Sequence, residues 1–318
     1  MAGFTTRDHG GGLDAAIRRY GGRRSDWIDL STGINPENYP LPDLPKECWR
    51  ALPDRGAETA LIDAARAFWD VPDAADILAA PGASALIVNL PRLLPPGRAR
   101  IVARSYNEHE AAFRAAGWEV TRSDNPAAQA RVIVHPNNPT GAFWNGDGPT
   151  PPLLILDESF CDTAPERSHM ANFGTRKGTI LLKGLGKFWG LGGMRLGFAI
   201  GDPGLIDQLR EMLGPWPVSG PALAIGRAAL SDAAWAEATR TRLRRDAARL
   251  DALMQSKGAE PIGGTPLFRL FRVEDAQAWQ TRLARGRVWS RIFPYDPTWL
   301  RLGLPPSAHW SQLEEALA

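Results

Sequence analysis

The sequence predicts an α/β fold: a large domain with a mostly parallel sheet between helices, plus a smaller α+β domain. Three observations predict it. From about residue 77 to residue 200, short apolar runs alternate with helical patterns, as in a sheet whose strands are buried on both faces. Polar or glycine-rich residues stand directly after several of those runs, at 135–138, 157 and 184–187, and open α/β sheets collect ligands at the C-terminal ends of their strands. After Asp202 the character changes to long Ala-, Leu- and Arg-rich segments, followed by three short strands among helices. The expected division is a large domain over 40–205, with 1–39 and 206–318 forming an N-terminal arm and a small C-terminal domain.

In chain order, residues 1–40 are loop-rich, with His9-Gly10-Gly11-Gly12 opening a turn, a short helix over 13–20 and a short strand over 27–30. The spacing of Ala60, Leu61, Ala64, Ala65 and Phe68 predicts a helix over 58–69. The run at 77–80 leads into Pro81-Gly82-Ala83-Ser84, and a buried helix is expected over 85–94. Its N-terminus would offer free N–H groups and the Ser84 hydroxyl to an anion; the plainer reading makes Ser84 an N-cap. Strands are expected at 100–103, 118–121, 131–134, 153–156, 179–182 and 196–200, with a helix over 106–116. Further helices are expected over 205–213, 221–230 and 233–257, with the arginines of 240–249 on a solvated face. Strands at 267–271, 288–292 and 299–303 complete the chain.

Composition narrows the class. Apolar residues make up 44% of the 318 and charged residues 23%, enough for a real core in one large or two modest domains. A formal net charge of +2 with no long Lys/Arg run argues against a nucleic-acid or membrane partner. No apolar run reaches the length of a membrane span, and residues 1–12 contain no apolar signal-peptide core. Two cysteines, Cys48 and Cys161, are too few for a disulfide framework, so a reduced, cytoplasmic setting is expected. Twelve tryptophans are many for this length, and sequence reasoning assigns them no role.

The chemistry concentrates in Leu182-Lys183-Gly184-Leu185-Gly186-Lys187-Phe188-Trp189-Gly190-Leu191-Gly192-Gly193-Met194-Arg195. Glycines on both sides of Lys187 let the backbone approach a flat ligand closely, and Arg195 follows eight positions later. A P-loop is excluded, because Phe188 stands where Ser or Thr is required. Taken alone, Lys187 reads as well as a solvated turn lysine, His9 as a solvated loop histidine and Asp157 as a turn cap. Their weight comes from the order in which they occur.

That order resembles the pyridoxal-phosphate aminotransferases of class I/II, which have the aspartate-aminotransferase fold (fold type I). His135-Pro136-Asn137-Asn138-Pro139-Thr140-Gly141 resembles the family's N-P-T-G turn, and Asp157 follows a strand at the expected later place. Lys187 and Arg195 keep the K-x7-R spacing. Tyr106-Asn107-Glu108-His109 resembles the ring-stacking segment, and Leu300-Arg301-Leu302-Gly303-Leu304 the strand with the substrate-carboxylate arginine. His9-Gly10-Gly11, the stretch 27–36 and the block 186–198 resemble one branch, the L-threonine-O-3-phosphate decarboxylases of cobalamin biosynthesis. The resemblance covers nearly the whole chain.

The resemblance implies pyridoxal 5'-phosphate as cofactor, no metal, a small phosphorylated amino acid as substrate and a homodimer. It implies Lys187 as the Schiff-base lysine, Asp157 at the pyridine nitrogen, Tyr106 on the ring face, Asn138 at the phenolate oxygen and His109 behind Asp157. Gly82, Ala83, Ser84 and Arg195 would hold the cofactor phosphate, and Arg301 the substrate carboxylate. His9 is the candidate for the substrate phosphate, with Gly33 lining the same pocket. Four departures stand out. Gly184 replaces a usual Ser or Thr, and Phe160 stands where many aminotransferases carry a tyrosine but the decarboxylase-like branch carries Phe. No tyrosine lies near Leu52-Pro53, where the partner subunit usually supplies one, and 141–152 is Pro/Gly-rich where a helix is usual. The implied activity is decarboxylation of L-threonine-O-3-phosphate to (R)-1-amino-2-propanol O-2-phosphate. The alternatives are an aminotransferase of the histidinol-phosphate type and an inactive scaffold that kept the fold.

Overall fold

The computed structural model describes residues 8–122 and 127–318, so the first seven residues of the expected arm lie outside the described residues. The chain forms two compact units. One comprises Asn38–Asn138 and Ala142–Thr239; the other comprises the chain up to Glu37, Pro139–Gly141 and Arg240–Ala318.

The first unit is built on a seven-stranded sheet. Its order is Asp76–Ala80, Gly197–Gly201, Thr179–Gly184, Leu153–Asp157, Ala130–Val134, Arg98–Ile101, Glu119–Thr121. Gly197–Gly201 runs antiparallel to both its neighbours, and the remaining pairs are parallel. The central strands are buried along their whole length, which is why they read as unbroken apolar runs. Alternate side chains (Leu78, Ala99, Val132, Ile155, Ile180, Leu182) pack with Leu86, Ile87, Leu90, Phe113, Ile206 and Leu209 from the covering helices. Truncating one such leucine to alanine costs roughly 2–5 kcal/mol. Ile206 and Leu209 lie on the Pro203–Leu213 helix, so the sheet unit runs past the expected boundary at residue 205.

The helix expected over 85–94 begins earlier and ends earlier. It spans Ala83–Asn89, and a 3-10 turn over Leu90–Leu93 follows, because Pro91 has no N–H to continue the α-helical ladder. The helix expected over 106–116 spans Asn107–Ala115. No helix occupies 141–152, as its Pro/Gly content predicted.

The second unit carries an antiparallel sheet of order Arg291–Phe293, Asp296–Gly303, Phe268–Arg272, Glu260–Thr265. The arm joins it by a parallel pairing of Ile28–Asp29 with Val288–Trp289. The strand expected over 288–292 is therefore two strands broken at Ser290, whose carbonyl accepts from Gln280 Nε2. The arginines of 240–249 are only partly a solvated face. Arg242 is largely covered and donates to Asn35 Oδ1 and Asp246, while Arg249 lies over the Trp310 ring.

Candidate active site

The strand ends of the larger unit surround an open cavity of about 860 Å³, mouth included. Gly82, Ala83, Ser84, Tyr106, Asn138, Asp157, Lys187 and Arg195 all line it. His109 lies directly behind Asp157.

One part of the cavity gathers donors suited to an anion. Gly82 caps the Ala83–Asn89 helix with φ 83°, and a Cβ placed on it would lie 2.6 Å from Arg195 Nη2. The backbone conformation there favours glycine, and a larger residue would push the Arg195 guanidinium aside. Ser84 is not the N-cap: it is the second residue of the helix, and its Oγ lies 3.5 Å from Arg195 Nη2. Arg195 itself is left-handed (φ 55°), and its Nη1 donates to the Gly192 carbonyl. The first helical turn, a hydroxyl and a guanidinium thus share one corner, a donor set suited to a phosphate.

The cavity also presents a buried carboxylate. Asp157 ends its strand and is 3% exposed. Its Oδ2 lies 2.8 Å from His109 Nε2, and its Oδ1 accepts from the Ser159 backbone N–H at 3.0 Å and from the Ser159 hydroxyl. Burial alone would raise its pKa. The His109 hydrogen bond and charge, with the two Ser159 donors, outweigh burial and hold it below the ordinary carboxylate range. The carboxylate is ionised at neutral pH and can hold a proton on a basic ring nitrogen. Ser159 was not singled out by sequence reasoning. Its signal was local: Asp-x-Ser after a strand is the spacing of a turn in which the carboxylate accepts from the residue two positions on.

Lys187 lines the same cavity. Its turn is tied by Leu185 N–H to Leu196 O, Leu191 N–H to Leu185 O and Gly190 N–H to Lys187 O. Its Nζ is 5.4 Å from the centroid of the Phe160 ring, so Phe160 offers an aromatic face and no hydroxyl. Gly184 lines the wall with no side chain. Tyr106, just before the Asn107–Ala115 helix, meets the His109 ring edge-on at 6.1 Å. The fit to pyridoxal phosphate is complete in kind: anion corner, amine and buried carboxylate line one cavity.

His9, Gly33 and Arg301 belong to the other unit. Arg301 is 5% exposed and donates to the Ser31 carbonyl at 2.6 Å. Burial, then the Arg291 charge, push its pKa down to about 10, which leaves it charged at neutral pH. Arg291 faces it directly across the antiparallel strands and pairs with Asp8. Gly33 is buried two residues past Ser31, and His9 is exposed. The His9 loop is held by Gly11 N–H donating to Ser31 Oγ, and a Cβ on Gly10 would lie 2.4 Å from the Ser31 carbonyl oxygen.

A buried trio of ligand-type side chains, His135, Glu158 and Cys161, is already engaged within the protein. His135 Nδ1 accepts from Trp144 N–H and its Nε2 donates to Arg167 O, while Glu158 pairs with Lys183.

Comparison with known proteins places the chain in a family. A threonine-phosphate decarboxylase of Sinorhizobium sp. is 39% identical over 330 residues, covering 98% of this chain and 97% of the relative. One from Pseudomonas aeruginosa is 36% identical with the same coverage. A histidinol-phosphate aminotransferase of Mesorhizobium japonicum is 26% identical over 303 residues, covering 85% and 81%. Among solved structures, the histidinol-phosphate aminotransferase of Sinorhizobium meliloti in complex with pyridoxal-5'-phosphate shares the fold at TM-score 0.80 and 17% identity, covering 100% of this chain and 97% of that one. The model of aminotransferase class I and II matches residues 27–318, and the chain belongs to that family.

Proposed function

We propose that the protein is a pyridoxal-phosphate-dependent decarboxylase that converts L-threonine-O-3-phosphate to (R)-1-amino-2-propanol O-2-phosphate for cobalamin biosynthesis. The observation that carries this reading is the full-length 39% identity to a threonine-phosphate decarboxylase, well above the 26% to a histidinol-phosphate aminotransferase. Phe160 supports it: the wall beside Lys187 has no phenol hydroxyl, matching the branch the sequence resembles.

When bound, pyridoxal 5'-phosphate supplies an electron sink that accepts the bond electrons left by departing carbon dioxide. The chain's residues hold that sink and aim the substrate. Asp157, kept ionised by His109 and Ser159, keeps a proton on the ring nitrogen. Ala83, Ser84 and Arg195, with Gly82 giving the room, grip the cofactor phosphate. Tyr106 would cover the ring and Asn138 would donate to its phenolate oxygen. Lys187 Nζ would hold the cofactor and would supply the proton that takes the place of the lost carboxylate on the substrate α-carbon. Arg301 takes the substrate carboxylate as a two-pronged donor, and His9 and Gly33 belong to the substrate's phosphate end.

A homodimer is part of the proposal. An open groove in the larger unit is lined by Leu41, Trp49, Leu52, Met194 and Trp216, and Leu41, Trp49, Leu52 and Trp216 are more than half exposed. The loop that lines this groove through Gly190, Leu191 and Met194 also lines the cofactor cavity through Gly192 and Arg195. A second copy of the chain is the occupant that would close both at once. No described helix is long and apolar enough to cross a membrane, and a cytoplasmic site of action is proposed with the activity.

The test is product analysis after mixing cofactor-loaded protein with L-threonine-O-3-phosphate and no oxo-acid acceptor. Carbon dioxide and aminopropanol phosphate are expected. Turnover that required 2-oxoglutarate and gave an oxo-acid would replace this reading with the aminotransferase.

A further inference from the structure

Behind the cavity the larger unit holds a buried set of charges that the mechanism does not use. Lys183 is 2% exposed and its Nζ lies 2.7 Å from Glu158 Oε2 and 3.8 Å from Asp162 Oδ1. Glu158 follows Asp157 directly, and it also accepts from Ser168 Oγ and from the His169 backbone N–H. Asp162 accepts two indole donors, Trp69 Nε1 at 2.9 Å and Trp189 Nε1 at 3.2 Å. Burial works against charge on Lys183, and the Glu158 carboxylate outweighs it and holds the ammonium above its ordinary pKa. Glu158 is likewise held below its ordinary range by Lys183 despite burial.

The placement of these groups is specific. Lys183 lies four residues before Lys187 and Trp189 two residues after it. Both attach to carboxylates of one short segment, 158–162, which begins next to Asp157. The turn carrying Lys187 is therefore tied at both ends to the segment that leaves the Asp157 strand. The aromatic shell makes that tie stiff: Trp189 stacks on Trp235 at 5.2 Å and 13°, and Phe188 meets Trp189 edge-on. An uncompensated charge here would be costly, so removing any member disturbs the rest.

We propose that Lys183, Glu158, Asp162 and Trp189 form a positioning network that sets where Lys187 Nζ stands relative to Asp157, with the Trp189–Asp162 hydrogen bond as its active link. The proposal rests on the reading of Lys187 as the cofactor-bearing lysine. None of the four is among the residues that line the cavity. Trp69 is the internal control, because it gives Asp162 an equivalent buried N–H from a helix end remote in sequence from Lys187.

The experiment compares Trp189→Phe with Trp69→Phe in the cofactor-loaded protein. Each removes one indole donor to Asp162 and keeps an aromatic ring. Two quantities are read: the pH midpoint of the visible absorbance of the Lys187-linked cofactor, and kcat and KM for L-threonine-O-3-phosphate. Trp189→Phe is expected to shift the midpoint by about half a unit or more and to lower kcat roughly 10- to 100-fold with KM little changed. Trp69→Phe is expected to lower the melting temperature comparably and to move neither quantity. Lys183→Met should behave like Trp189→Phe, and Lys183→Arg should restore the midpoint. Equal effects of the two tryptophan variants, or a normal wild-type band that Trp189→Phe leaves in place, would overturn the network's positioning role alone. A wild type with no band linked to Lys187 would overturn the Lys187 reading as well. If threonine phosphate is not turned over, the absorbance midpoint still decides.

Discussion

Replacing Gly82 by alanine tests the anion corner with one carbon. A Cβ at this position lies 2.6 Å from Arg195 Nη2, so restoring an ordinary contact of about 3.5 Å requires the guanidinium to retreat by roughly 3.5 − 2.6 ≈ 0.9 Å. The side chain can make that move, but only away from the helix turn where the phosphate is proposed to sit. The backbone adds a cost of its own: at φ 83° and ψ 156° an alanine is strained by roughly 1–3 kcal/mol. A hydrogen bond between charged groups is worth about 1.5–3 kcal/mol, so weakening the Arg195 contact should raise the cofactor's dissociation constant roughly 10- to 100-fold. The assay is an equilibrium titration of the apo-protein with pyridoxal 5'-phosphate and, separately, with pyridoxal. The expected result is a loss for the phosphorylated form and near-unchanged binding of the other. Equal loss for both, or no loss for either, would refute the assignment of this corner to phosphate.

Three further outcomes follow from the same geometry. Lys187→Ala should abolish both the covalently held cofactor, measured by mass spectrometry after borohydride reduction, and turnover; a variant turning over at the wild-type rate would remove Lys187 from the mechanism. Asp157 has a depressed pKa in the folded protein, so its contribution to stability is fully present above the unfolded carboxylate value of about 3.9 and is lost as pH falls through the lower folded value. Asp157→Asn should therefore lower the melting temperature of the apo-protein at pH 6 and flatten its decline between pH 4 and lower values, besides cutting the rate by orders of magnitude; an unchanged acid limb would contradict the depressed pKa. Trp49→Glu with Leu52→Glu should convert a dimer to a monomer in sedimentation velocity, because each puts a carboxylate on a side chain more than half exposed in the apolar groove; a persistent dimer would move the interface elsewhere.

Much of the larger unit was legible because its strands are buried on both faces and so read as plain apolar runs. Direction was not. The run Gly197–Gly201 is as apolar as Leu153–Asp157, and nothing in its composition says that it points the other way. The cavity residues were legible where chemistry limits the choice, as with Lys187, Arg195 and Asp157. Local detail escaped where several residues fit one role. Ser84 has the side chain of an N-cap, yet Gly82 takes that place, because only glycine tolerates both the φ and the approach of Arg195. Ser159 gives Asp157 two donors, a role that its place after a strand does not by itself distinguish from that of an ordinary turn residue. The tryptophans had no periodicity to interpret. Trp69 and Trp189, distant in sequence, matter through the one carboxylate they share.

The reversed strand has a consequence for how the protein is made. Asp76–Ala80 emerges first from the ribosome among the sheet's strands, and its only sheet partner is Gly197–Gly201, the last. Until residue 201 has been synthesised, that first strand has no sheet neighbour among the described strands to pair with. The chain must close a long loop before this pairing is rewarded, which places it late in assembly. The seam so formed joins Gly82 and Ser84 on one side to Arg195 on the other. The corner shared by Gly82, Ser84 and Arg195 is therefore complete only once the first and last strands of this sheet have come together.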